Sequence, residues 1–190
     1  RGLGDVYKRQ ILNDTSVQDV LLDHIIEAAG EYGFQDIHFD FEYLRPEDRE
    51  PYNAFLKKAA QRLHAERLLI STALAPKTSA SQTGQWYTAH DYRAHGEIVD
   101  FVVIMTYEWG YSAGPPMAVS PIGPVRQVLE YAKTEIPANK IMMGQNLYGY
   151  DWTLPFVKGG AYARAISPQT AISLARENHA FIEYDYTAQA

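Results

Sequence analysis

The stretch FQDIHFDFEYL, residues Phe34 to Leu44, alternates two kinds of side chain. Asp36, His38, Asp40 and Glu42 fall on one side of a period-2 pattern, and Ile37, Phe39, Phe41 and Tyr43 on the other. The pattern predicts a strand whose aromatic face packs beneath helices while its acidic face points into a polar space. A row of ionisable groups on a buried strand is costly unless it does chemistry. Residues two apart on a strand are separated by roughly 6.5 to 7 Å, so Asp40 and Glu42 interact. Two carboxylates that close in a low-dielectric site do not both ionise readily, and one is pushed to hold a proton near neutral pH, the state a general acid needs. Glu42 is the candidate acid.

Working outward, Val17, Val20, Leu21, Ile25, Ile26 and Ala29 recur at helical spacing before this strand. Thr15 with Gln18, or Ser16 with Asp19, offers a capping box, and Gly30 and Gly33 are available to end the helix. After Glu42, Pro46 with Glu47 and Asp48 opens a second amphipathic helix that carries Tyr52, Phe55, Leu56, Ala59 and Leu63. Leu68 to Leu74 reads as the next strand and Lys77 to Gly84 as a loop at its C-terminal end. Ile98 to Trp109 is apolar on both faces, as in a buried parallel strand. Gly110 to Pro124 reads as a loop, Pro124 to Ile136 as a helix and Lys140 to Tyr148 as a strand. Beyond Trp152 the alternation weakens, leaving a helix from Ser167 to Asn178 and a strand-like Phe181 to Tyr186. Repeated strand and helix predict parallel β-α units with right-handed crossovers, and functional groups clustered at strand ends favour a barrel.

The opening RGLGDVYKRQ shows neither an amphipathic period nor a signal-peptide core, and it resembles translated adapter sequence. Residues 1–12 are therefore set apart as a non-native tail. A net charge of −6 without a basic stripe argues against a nucleic-acid partner. No apolar run reaches about 18 residues, so no helical membrane span is expected. Without cysteine there is no disulfide framework and no thiolate metal site. The 14 tyrosines and 3 tryptophans suit a sugar site as well as ordinary packing.

Several side chains have two readings. His38 is a metal ligand or, as we favour, a hydrogen-bonded histidine that orients Asp40. His90, Asp91 and His95 have the residue types of a zinc site, yet their ordinary reading is surface or loop structure. Trp86 and Trp109 are stacking rings for a sugar or packing residues.

Aligned on Glu42, the acidic strand resembles glycoside hydrolase family 18, whose fourth barrel strand carries Asp-x-x-Asp-x-Asp-x-Glu with the final Glu as catalytic acid. Asp40 and Glu42 match. Gln35 and His38 replace the first and middle acids, so the family's relay from middle to last Asp does not operate in its usual form. The stretches STALAPKTSA, HGEIVDFVVIMTYEWGY and IMMGQNLYGYDWTLP are similar to the family's spore and cell-envelope peptidoglycan hydrolases, the spore-germination, cortex-lytic N-acetylglucosaminidase branch. The resemblance implies an α/β fold, a (β/α)8 TIM barrel. Residues 13–190 would supply a partial catalytic domain, roughly strands 4 to 7.

The activity implied is that of a retaining glycosidase cutting N-acetylglucosamine linkages in peptidoglycan or chitin-type glycans, assisted by the substrate's 2-acetamido group. Glu42 would protonate the leaving oxygen, Asp40 hold the acetamido nitrogen and Tyr107 its carbonyl. Met105, Glu108, Trp109, Gln145, Asn146 and Tyr148 would line the sugar site, with Glu108 in the place of a family Asp. Gln145 and Asn146 read equally as polar fillers at a barrel rim. No cofactor or metal is implied. The partner is the glycan, wall-binding modules are compatible with a full-length parent, and the implied location is the spore, cell envelope or extracellular space. Two rival readings are a sugar-binding protein without activity, suggested by the two lost acids, and a piece that does nothing alone.

Overall fold

The computed structural model describes the backbone of residues 3–190 and side chains from residue 7 onward. It divides into two compact units, Arg1–Met105 with Leu129–Met143 and Thr106–Val128 with Gly144–Ala190.

The first unit carries a four-stranded parallel sheet in the order β1 (Asp36–Phe39), β2 (Leu69–Leu74), β3 (Phe101–Ile104), β4 (Ile141–Met143). Register places His38 opposite Ser71, Thr72 opposite Val102 and Val102 opposite Ile141. Ile70, Ala73, Leu74, Val102 and Ile104 are buried, which explains why β2 and β3 read as continuous apolar runs. Between the strands lie α3 (Arg49–Ala65) and α4 (Tyr92–Ile98). Pro46 to Asp48 form a 3-10 turn that leads into α3. Tyr52, Phe55, Leu56, Ala59 and Leu63 on α3 are completely buried, as their spacing predicts. Burial of each large member contributes about 1.5–3 kcal/mol.

Before the sheet come α1 (Leu3–Asn13) and α2 (Thr15–Tyr32). α1 occupies the stretch set apart on sequence grounds, of which residues 1–2 lie outside the described residues. α2 is capped by Asp14, whose carboxylate accepts from the Ser16 and Val17 N–H groups at 2.9 and 3.2 Å. This differs from the expected Thr15 or Ser16 box, because Asp14 reaches the same orphan donors one residue earlier. Gly33, at φ 71, ends the helix in the left-handed conformation that favours glycine.

The second unit holds the antiparallel pair β5 (Gly149–Asp151) and β6 (Arg164–Ile166), followed by α6 (Pro168–Glu177) capped by Ser167. α5 (Ile122–Glu135) belongs to it through Val128 and to the first unit from Leu129.

Three strands are shorter than their sequence patterns. β1 stops at Phe39 and β3 at Ile104, and Tyr43 and Glu108 beyond them have positive φ, 55° and 69°, where the chain turns out of the sheet. β4 ends at Met143. Phe181 to Tyr186 form no strand, since no neighbour pairs with them among the described residues.

Candidate active site

Asp40 and Glu42 fall just past the C-terminal end of β1, the end at which parallel barrels build their sites. Within the aromatic half of the alternation Phe39 and Phe41 pack as expected, whereas Tyr43 is exposed because the chain turns out of the sheet there. Phe39 meets Phe55 edge to face at 5.2 Å, while Phe41 stacks on Tyr52 at 5.4 Å and Phe55 at 5.9 Å. That cluster anchors the residue between the two acids. Asp40 is exposed and Glu42 half-buried. Glu42's carboxyl is raised above the ordinary range, first by desolvation and then by the negative charge of Asp40, with Lys8 opposing. Lys8 also donates to the Glu42 carbonyl oxygen at 2.6 Å.

His38 does not serve as expected. It is exposed, and its Nδ1 lies 2.8 Å from Ser71 Oγ, whose hydroxyl donates to Asp36 at 2.7 Å. The direct cross-strand pairing of His38 with Ser71 makes that hydroxyl, rather than Asp40, its partner. Trp86 meets Tyr43 edge-on at 4.7 Å, which puts an aromatic pair on the loop beside Glu42.

His90 and His95 are not surface residues. They are 3% and 0% exposed. His95 faces inward from α4, with Nδ1 3.1 Å from Thr72 Oγ1. The His90 Nδ1 accepts from the Ala75 N–H at 2.7 Å, and its Nε2 donates to the Phe41 carbonyl at 2.9 Å. Both nitrogens are engaged, so His90 offers no lone pair to a metal. Asp91 caps α4 and pairs with Arg49 at 2.5 Å. Isolated histidines in a polar stretch give no sign of burial, because the covering comes from β2, α3 and the β1 loop.

In the second unit, Tyr107 is half-buried, Glu108 exposed and Trp109 half-buried, while Met105, at the end of the first unit, is buried. Glu108 accepts from two phenols, Tyr148 and Tyr150, the latter at 2.7 Å. Desolvation and then the Glu108 carboxylate push the Tyr150 hydroxyl up to about 12, and raise Tyr148 in the same way. The Asn146 amide accepts from Ser120 and donates to the Tyr148 carbonyl, both at 2.7 Å, so it ties the loop together. Gln145 is exposed. Tyr150 and Ser71 escaped the sequence reading, which also takes His90 as surface or loop rather than as a buried link between Phe41 and Ala75. Tyr150, on β5, follows Tyr148 at strand spacing, a signal the sequence carries.

An α/β chain with a parallel sheet and a carboxylate pair past a strand's C-terminal end has the parts of a barrel glycosidase. The chain belongs to glycosyl hydrolases family 18, whose family model matches residues 4–189.

Among its relatives, it is 68% identical over 190 residues to the cortical fragment-lytic enzyme of Bacillus subtilis (strain 168), covering 100% of this chain and 44% of that protein. The cortical fragment-lytic enzyme of Bacillus anthracis is 56% identical over 95% of this chain and 42% of its own length. The crystal structure of the Bacillus megaterium spore cortex-lytic enzyme SleL superposes with a TM-score of 0.92 at 64% identity, covering 98% of this chain and 42% of that one. A chitinase from Chromobacterium violaceum superposes with a TM-score of 0.83 at 25% identity, over 94% of this chain and 54% of its own. The chain thus spans less than half the length of its Bacillus relatives.

Proposed function

We propose that the full-length polypeptide carrying these residues is a retaining glycosidase that cuts N-acetylglucosamine linkages in spore cortex peptidoglycan. Strands β1 to β4 are then strands 4 to 7 of a (β/α)8 barrel, and residues 13–190 are part of its catalytic domain. Similarity to cortical fragment-lytic enzymes supports the substrate and a spore location.

The observation that carries the chemistry is the environment of Glu42: desolvation and Asp40 keep its carboxyl protonated to higher pH than an ordinary glutamate. A protonated Glu42 gives its proton to the glycosidic oxygen as the bond from C1 breaks. The substrate's acetamido oxygen attacks C1 from the opposite face and forms an oxazolinium, the substrate-assisted exception to the two-carboxylate scheme. Asp40 holds the acetamido N–H and stabilises the positive ring, while Tyr107 donates to the acetamido oxygen before attack. The Glu42 carboxylate then takes a proton from water, whose oxygen opens the oxazolinium and restores the original configuration. A raised Glu42 extends the proton-donating form upward in pH, so the alkaline limb of kcat/KM reports this residue.

Glu42→Gln in the full-length polypeptide keeps the shape and removes the proton. The expected loss in kcat on a fluorogenic N-acetylglucosamine glycoside is about 10²- to 10⁴-fold, with glycan binding retained. Activity within a few-fold of the parent would remove Glu42 as the acid.

A further inference from the structure

The backbone ladder between β1 and β2 has a fixed offset, in which the Gln35 carbonyl accepts from the Leu69 N–H at 2.8 Å. Six residues further on, the same offset would pair the Phe41 carbonyl with the Ala75 N–H. That bond is replaced. The imidazole of His90 lies between the two groups, accepting from Ala75 through Nδ1 and donating to Phe41 through Nε2. A ring therefore stands where a direct hydrogen bond would otherwise continue the ladder, and the segments that follow β1 and β2 are held apart at that point. Phe41 is the residue between Asp40 and Glu42.

Both partners dictate the ring's protonation. An amide N–H only donates, so Nδ1 must keep its lone pair, and a carbonyl only accepts, so Nε2 must carry the hydrogen. Only one neutral tautomer fits. Neighbouring bonds hold the ring's own frame: Lys77 Nζ donates to the His90 carbonyl at 3.3 Å, and the Tyr92 hydroxyl donates to the Ala75 carbonyl at 2.7 Å while accepting from the Lys77 N–H at 2.9 Å.

We propose that His90 is a positioning residue, a neutral strut that spaces β1 from β2 and thereby sets where Asp40 and Glu42 stand. The assignment rests on the reading of Glu42 as the acid. Burial opposes protonation of His90 most strongly and Lys77 adds to that, whereas the Phe41 carbonyl and Asp40 favour it; the Tyr52 and His95 rings are its other titratable neighbours. A second proton would put an N–H on Nδ1 against the Ala75 N–H, so the protonated ring cannot hold both contacts. Asp40 and Lys8 are the charged groups that act on Glu42. Because desolvation and the nearness of Asp40 both raise Glu42, a relaxed loop lets its carboxyl return toward the ordinary range.

The test compares His90→Phe and His90→Gln in the full-length polypeptide, with a fluorogenic N-acetylglucosamine glycoside as substrate. Phenylalanine fills the space without either bond, and the glutamine amide can still donate to the Phe41 carbonyl. His90→Phe should lose about 10- to 100-fold in kcat, the scale of a small misplacement of catalytic groups, and its alkaline limb in kcat/KM should move to lower pH. His90→Gln should recover part of both. A loss of folded protein alone would lower the rate without moving the limb. Should His90→Phe fail to fold, nitrogen-15 shifts of the wild-type imidazole decide: a fixed neutral form with hydrogen on Nε2 from pH 5 to 8 supports the strut, and titration or the other tautomer in that range overturns it. A folded His90→Phe protein with the parent's kcat and limb also overturns it. Activity in Glu42→Gln would instead remove the underlying reading, whereas an inactive Glu42→Gln beside an unmoved limb in His90→Phe removes His90 alone.

Discussion

Acid should destabilise this fold through His95 in a way that one substitution exposes. His95 is fully buried, its Nδ1 bonds Thr72, and its Nε2 has no hydrogen-bond partner among the described residues. Burial, with a smaller contribution from His90, pushes its pKa down to about 3. An unfolded histidine titrates near 6.5, so the unfolded chain binds the extra proton first. The stability is fully present above about pH 6.5 and drains away as pH falls toward 3. A gap of about 3.5 units corresponds to a limit of roughly 5 kcal/mol, of which about 2 kcal/mol is spent between pH 6.5 and 5. That is a large part of a typical net stability of about 5–15 kcal/mol.

His95→Leu removes the titrating group at similar volume and leaves the Thr72 hydroxyl without its partner, a cost of about 1–3 kcal/mol at pH 7.5. Urea unfolding of both proteins, followed by tryptophan fluorescence at half-unit steps from pH 5 to 7.5, should show the parent losing stability faster as pH falls. The slopes should differ by about half a proton at pH 6.5 and approach one proton, or about 1.36 kcal/mol per pH unit, near pH 5. His90, also held neutral by burial, adds to the slope that remains in the variant. Equal slopes in the two proteins would refute the assignment of the acid sensitivity to His95.

The proposed substrate assistance requires the acetamido group, so a de-N-acetylated glycan should lose kcat as well as kcat/KM, and a thiazoline analogue of the oxazolinium should inhibit. Equal kcat on the two glycans would point to a direct carboxylate nucleophile. In the second unit, Glu108→Gln removes a charge that helps hold the Tyr150 phenol at about 12. Its ionisation, read by ultraviolet absorbance against pH, should begin lower in the variant, and an unchanged onset would separate Glu108 from the two tyrosines.

Periodicity settles the faces of an element taken by itself. The helical spacing of Tyr52, Phe55, Leu56, Ala59 and Leu63 requires an apolar stripe, and all five are buried on α3. The alternation around Phe39 and Phe41 likewise names the packed side of β1 and leaves Asp40 and Glu42 on the other. These are properties of residues close in sequence, which share one backbone geometry. The burial of His90 and His95, the exchange of His38 from Asp40 to Ser71, and the capture of Glu108 by Tyr148 and Tyr150 depend on segments 30 to 50 residues away. Phe181 to Tyr186 alternates as β1 does, yet forms no strand. A strand exists only where a neighbour accepts its hydrogen bonds, and a histidine stays neutral well below pH 6.5 where other elements exclude water from it, so tertiary structure decided both.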